Sequence, residues 1–315
     1  LDREHITRAR AQLGLDESLN SIPGLVMQNR YNFAQDLRIS IRGFGARAAF
    51  GIRGVKIIVD GIPSTLPDGQ GSIDSIDIGS IGNIEVIRGA SSSLYGNASG
   101  GVISINTDFD NQSPQISTRD AWGDHGYKKN QLYFNGTLNK LDFMTSLSDL
   151  TIDGYRQHSE HESRLINSKF RYRFDNGSTL KVSLNAVDQP ISNDPGGVNI
   201  NTLETDRRSA REQNILLNAG EAIEQQRIGL IYETSLNHNT QLILRNYHLW
   251  RDFKGYLPLT SNGVIDLDRY YGGLGARITK TLPLADEIQL KWAIGADFNN
   301  QKDYRQRFAN NNGVK

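Results

Sequence analysis

Ile288-Gln289-Leu290-Lys291-Trp292-Ala293-Ile294-Gly295-Ala296-Asp297-Phe298-Asn299 alternates between apolar and polar side chains. In an extended strand successive side chains point to opposite faces. Ile288, Leu290, Trp292, Ile294, Ala296 and Phe298 therefore share one face, and Gln289, Lys291, Asp297 and Asn299 share the other. The stretch is roughly twice the ~5–6 residues usual for a soluble strand. Other segments repeat the pattern. Leu180, Val182, Leu184 and Ala186 alternate with Lys181, Ser183 and Asn185, and Ile166, Phe170, Tyr172 and Phe174 with Asn167, Lys169, Arg171 and Arg173. Ile228, Leu230 and Tyr232 alternate with Arg227, Gly229 and Glu233. Long strands, apolar on one side and polar on the other, are the mark of a β-barrel wall that meets lipid outside and water inside.

The connections separate this reading from a soluble β-sandwich, whose strands also alternate. About nine strands fit between residues 115 and 300. Short polar turns fall at 139–140, 175–177, 237–239 and 281–286, and long polar connections at 153–163, 189–221, 254–265 and from 300 onward. Short and long alternate, as they do when one rim faces the periplasm and the other faces outward. A sandwich has no reason to sort its loops in this way.

Composition agrees and excludes alternatives. The 315 residues carry 35 basic and 35 acidic side chains, which gives no basic excess for nucleic-acid capture. No run approaches the ~20 apolar residues of a transmembrane helix, which leaves a strand-built barrel open. There is no cysteine, so disulfides, thiolate metal sites and cysteine nucleophiles are all absent from this chain. The opening Leu1-Asp2-Arg3 carries no secretory signal and is read as a mature or trimmed start.

Before residue 110 the texture differs. A helix-like stretch over 16–22 stops at Pro23-Gly24. Short apolar runs follow at 37–41, 55–59, 84–87 and 102–105, each closed by Gly, Asp-Gly, Arg-Gly or Asn-Thr, as in a small α+β unit. A barrel of ~8 strands is filled by its own side chains, whereas a domain of about 110 residues has a radius of gyration near ~13 Å. If the first unit sits inside the second, more strands are expected beyond Lys315.

Several motifs in the first unit resemble those of TonB-dependent receptors. Leu37-Arg38-Ile39-Ser40-Ile41-Arg42-Gly43-Phe44-Gly45 and Val59-Asp60-Gly61-Ile62-Pro63 are similar to the first two plug signatures of that family. Ile84-Glu85-Val86-Ile87-Arg88-Gly89, Ser93-Leu94-Tyr95-Gly96 and Gly100-Gly101-Val102-Ile103-Ser104-Ile105 resemble the third. Gly43 to Gly51, Thr65 to Gly71, Asp153-Gly154-Tyr155-Arg156 and Val264-Ile265-Asp266-Leu267 resemble the pyrroloquinoline-quinone and iron-compound receptor branch. The resemblance implies an α+β plug domain over 1–110, followed over 111–315 by antiparallel transmembrane β-barrel strands of an incomplete barrel. It further implies a Gram-negative outer-membrane location, lipid around the wall and TonB as the energy-coupling partner. Import of a scarce, small, anionic ligand is the activity it implies, with no cofactor, no enzymatic role and no nucleic-acid partner.

Arg47, Phe50, Thr65, Leu66, Asp68 and Gln70 at the plug apex, with Arg207, Arg208 and Arg211 in loop 189–221, are the expected ligand contacts. Bidentate arginine suits carboxylates. Arg42, Glu85 and Arg88 are expected to hold the plug to the inner wall. Two imitations are set aside. Gly43-Phe44-Gly45-Ala46-Arg47-Ala48 mimics a dinucleotide fingerprint, but Gly51 and Gly54 interrupt the helix such a site requires. His158, Glu160, His161 and Glu162 cluster without a metal-ligand pattern and read as a solvated outward loop.

Overall fold

The computed structural model describes residues 1–28, 31–46, 48, 51–89, 95–107, 109, 113–285 and 288–314. The first part contains helices α1 (Arg3–Thr7) and α2 (Asp16–Leu19) and strands β1 (Leu25–Gln28), β2 (Arg38–Ile41), β3 (Val55–Val59), β4 (Ile62–Pro63), β5 (Ile81–Arg88) and β6 (Gly101–Thr107). β1 and β2 form an antiparallel pair, and the other four lie in the order β4-β3-β6-β5 with β3 and β6 parallel. Ile39, Ile41, Ile57, Ile84, Ile103 and Ile105 meet in one buried cluster with Leu19 and Ile6. β-branched side chains suit these short, two-sided strands. The 16–22 helix is shorter than expected and ends at Leu19, and α1, β1 and β4 were not foreseen.

β3 and β4 are joined by Asp60-Gly61, both with positive φ (52° and 79°), so Val59 pairs with Ile62 across a two-residue turn. This is the I′ geometry that Asp-Gly favours, and it sets Asp60 at the tip of a hairpin. Gly101, at φ 143°, lets β6 approach β5 so closely that a Cβ would collide with the Ile87 carbonyl oxygen.

The second part is one nine-stranded antiparallel sheet in chain order. Its strands are β7 (Gln115–Trp122), β8 (Lys128–Leu138), β9 (Leu141–Ile152), β10 (His161–Arg173), β11 (Thr179–Asn193), β12 (Gly220–Asn237), β13 (Thr240–Tyr256), β14 (Val264–Ala285) and β15 (Ile288–Phe308). β7 and β15 are its two edges, so the sheet is an arc of barrel wall. Strand length rises from 8 residues in β7 to 22 in β14. About 9–11 tilted residues cross a bilayer, so the later strands project beyond it. β15 continues to Phe308, where sequence had placed a loop from residue 300. Loop 194–219 carries two short helices, α3 (Ile200–Thr205) and α4 (Glu212–Leu216).

The faces of this sheet are inverted relative to a soluble protein. Ile116, Leu132, Ile166, Leu244, Leu274, Ile294 and Phe298 are exposed, whereas Lys129, Gln131, Asn167, Lys169, Asn185, Gln225 and Arg227 are buried. Polar side chains face the plug and apolar ones face outward. β15 is an edge strand exposed along both faces, Ile288, Leu290, Ile294 and Phe298 included, with Trp292 half-buried. No helix among the described residues is long and apolar enough to cross a membrane.

Candidate functional site

The plug and wall meet through two kinds of contact. In the first, wall side chains donate to plug backbone oxygens. Lys129 Nζ reaches Gln12 O at 2.9 Å, Tyr127 Oη reaches Ala11 O at 2.6 Å, Asn185 Nδ2 reaches Ser75 O at 3.1 Å and an Arg245 Nη reaches Gly61 O at 2.7 Å. Such bonds satisfy the carbonyls of irregular plug loops, which would otherwise be buried without partners.

The second kind is ionic. Asp60, at the hairpin tip, accepts from Lys169 Nζ at 2.9 Å and also from Thr107 N and Thr107 Oγ1 at 3.0 and 2.8 Å. Both side chains of the pair are under 10% exposed, at 9% for Lys169 and 7% for Asp60. Lys169 also lies 4.4 Å from the Phe109 ring centroid. Higher on the wall, Arg251 holds Asp74 with two bonds of 3.0 and 2.5 Å and reaches Gln225 Oε1 at 2.9 Å. In both pairs the acid is on the plug and the base on the wall.

Arg42, Glu85 and Arg88 were expected to hold the plug to the inner wall. All three are exposed and form no ion pair with the nine strands among the described residues. Arg88 turns back into the plug and donates to Pro23 O at 2.8 Å. The tight Asp60-Gly61 turn projects an acid into the wall.

Plug and wall together line an open cavity of about 830 Å³. Leu66 and Gln70 are among its lining residues. Leu66 is also packed against Ile62, Tyr247 and Tyr271. Thr65 is buried and structural: its Oγ1 accepts from Ile57 N at 2.8 Å. Asp68 binds the Gln70 amide at 2.9 Å and pairs with Arg53 at 3.4 Å. Arg47 and Phe50 lie outside the described residues. Arg207, Arg208 and Arg211 are exposed on the outward loop and are not part of the cavity lining, with Arg208 resting 5.5 Å from the Tyr155 ring.

The charges that do line the cavity were mostly missed. They include Arg38, Arg53, Arg251, Arg269, Arg305 and Arg307, together with Asp36, Asp74, Glu221 and Asp303. Arg269 engages Asp303 at 2.7 and 2.6 Å, and Arg251 engages Asp74. Arg38, Arg305 and Arg307 form no ion pair among the described residues. The signal for Arg305 and Arg307 was available, because carrying the 288–299 alternation onward puts both on the inward face.

His161, read as a solvated loop residue, opens β10, is buried, and stacks on Phe33 with centroids 4.4 Å apart. His158 hydrogen-bonds Ala219 O at 2.8 Å. No group of three metal-ligating side chains occurs among the described residues.

A small α+β domain is thus seated against the polar face of a long-stranded wall whose outward face is apolar. Residues 1–102 match the TonB-dependent Receptor Plug Domain family. The chain is 27% identical over 212 residues to a hemin receptor of Yersinia enterocolitica, covering 61% of this chain and 29% of that protein. Its fold matches that of the unliganded ferric citrate transporter FecA, with a TM-score of 0.81 at 20% identity, over 100% of this chain and 49% of that one. The ferric yersiniabactin uptake receptor FyuA of Yersinia pestis gives a TM-score of 0.73 at 16% identity, over 93% and 47%. The chain thus spans about half the length of these solved structures.

Proposed function

We propose that this chain is part of a receptor that captures a scarce, small, anionic compound and imports it across the outer membrane, driven by TonB. The observation that carries the ligand class is the cavity of about 830 Å³ between plug and wall, within the range of ~300–1,000 Å³ of small-molecule sites. Within it Arg251 pairs with Asp74 and Arg269 with Asp303, while Arg38, Arg305 and Arg307 form no ion pair among the described residues and line the space together with acids that include Asp36, Asp77, Asp194 and Glu221. Arg305 and Arg307 stand two residues apart on one strand face, about 7 Å, a spacing that suits two carboxylates of one ligand. Ferric chelates and pyrroloquinoline quinone both carry such groups, and the names of similar proteins, a ferric citrate transporter and a hemin receptor, fall in the first class.

In this reading ligand arrives from the outward loops and meets Leu66 and Gln70 on the plug and the arginines on the wall. TonB then draws on the plug, and the hydrogen bonds to its backbone oxygens let it rearrange without exposing a large apolar surface. The test is binding to the full-length receptor in detergent of ferric citrate, hemin and pyrroloquinoline quinone, with cobalamin for comparison. Saturable binding of at least one anionic compound is expected. Preferential binding of cobalamin would overturn the anionic assignment.

A further inference from the structure

The inward face of β12 carries a buried cation with no partner. Arg227 is 7% exposed, and among the described residues it makes no hydrogen bond and no ion pair. The lysines that are equally buried, Lys129 and Lys169, are engaged by the Gln12 carbonyl and by Asp60.

The surroundings of Arg227 supply no counter-charge. It stands in register with Asn185 of β11 and Leu249 of β13, and its neighbours on the same face of β12 are Gln225 and Gly229. Leu249 is packed with Ile62, Leu66, Tyr247 and Tyr271. Gln225 Oε1 already accepts from Arg251 at 2.9 Å. Asn185 donates to Ser75 O at 3.1 Å and its Oδ1 has no donor. That oxygen could take one of the five guanidinium N–H groups, but it carries no charge to offset. Asp60 is the carboxylate whose charge acts on Arg227, and it is committed to Lys169 Nζ, Thr107 N and Thr107 Oγ1. Two buried cations thus share one occupied acid, whereas buried charges are ordinarily paired.

The position lies in the seam between plug and wall. Gln225 and Leu249 line the cavity, and Arg227 is one step further along β12 towards the turn at 237–239. Plug residues Ile62, packed at Gly229, and Ser75, bound by Asn185, close it from the other side. The inward side chains next to it on β11, Ser183 and Asn185, are short, which limits any occupant to a small ion.

We propose that Arg227 is the core of a second anion site, set in the plug–wall seam beside the cavity, which takes one small monovalent anion of halide or carboxylate size. The anion supplies the counter-charge that Asp60 does not. Because plug residues complete the site, it exists only while the plug is seated, and occupancy stabilises the seated plug by mass action. The site stands whichever compound the cavity takes.

The experiment is hydrogen–deuterium exchange of the full-length receptor in detergent at fixed pH and ionic strength, with chloride, and in a second series acetate, replacing a bulky sulfonate. In the parent, peptides covering 57–66 and 72–78 should gain protection saturably, about tenfold at ~100 mM salt for a dissociation constant of ~10 mM, while those covering β9 stay constant. Arg227→Met keeps the length and drops the charge; it should start at least as protected and respond to neither salt. A parent that responds to neither anion, or an Arg227→Met variant that keeps the parent's response, overturns the site. Should Arg227→Met fail to assemble, crystals of the parent soaked in bromide decide. An anomalous peak within hydrogen-bond distance of the Arg227 guanidinium supports the site, and no bromide there refutes it.

Discussion

Replacing Asp60 by alanine should unseat the plug without unfolding the wall. The carboxylate is 7% exposed and is the acceptor for Lys169 Nζ, Thr107 N and Thr107 Oγ1. Its removal strands a buried ammonium on the wall beside Arg227, which is also buried and close enough for Asp60 to act on its charge. Breaking one side of a buried pair costs about 3–5 kcal/mol, most of it the uncompensated charge. Lys169 keeps Thr107 O and the Phe109 ring as partners, which points to the lower end of that range. Lys169→Met added to Asp60→Ala removes the stranded charge and should recover all but about 1 kcal/mol. The assay is urea titration of the full-length receptor in detergent, reading exchange protection of residues 55–63 and 101–107 separately from the wall strands. A loss below about 1 kcal/mol in Asp60→Ala, or no recovery in the double variant, would refute the claim that this pair anchors the plug.

Three further outcomes are expected. Arg305→Ala and Arg307→Ala should each weaken ferric citrate binding about tenfold to a hundredfold, the loss of one charge-assisted contact of ~1.5–3 kcal/mol; affinities equal to the parent would remove these residues from the site. Ile294→Lys, on the outward face and 69% exposed, should cost ~2–4 kcal/mol if it lies near the bilayer midplane, read as a reduced fraction of heat-modifiable barrel in the outer membrane. Gly229→Ala should displace the plug hairpin, because its Cβ would meet Ile62 Cδ1 in a fully packed position; Gly229→Ala with Ile62→Ala should restore plug protection, and no effect of the single change would contradict the packing.

The wall was legible because a bilayer enforces one rule on every strand: apolar outward, polar or small inward. Ile288 to Phe298 obeys it so cleanly that the outward face could be named residue by residue. β13 was harder, since Tyr247, Leu249 and Phe253 sit on its inward face, against plug and cavity, and blur the alternation. The plug hairpin was marked by Asp60-Gly61, a local turn preference. Contacts between plug and wall were not legible, because they join residues as far apart as Gly61 and Arg245, and nothing in strand periodicity says which inward cation a given plug acid will meet. Arg207, Arg208 and Arg211 lie on a long polar loop, where composition draws attention, while Arg305 and Arg307 lie near the end of β15, hidden by its regular alternation.

Uptake in cells decides whether the proposed import occurs and is energised. Iron-limited Gram-negative cells expressing the full-length receptor would be supplied with labelled iron as ferric citrate or as hemin, and separately with pyrroloquinoline quinone, in strains with and without TonB. Accumulation of at least one of these compounds that requires both the receptor and TonB is the predicted result; accumulation of none, or accumulation that persists unchanged without TonB, would contradict it.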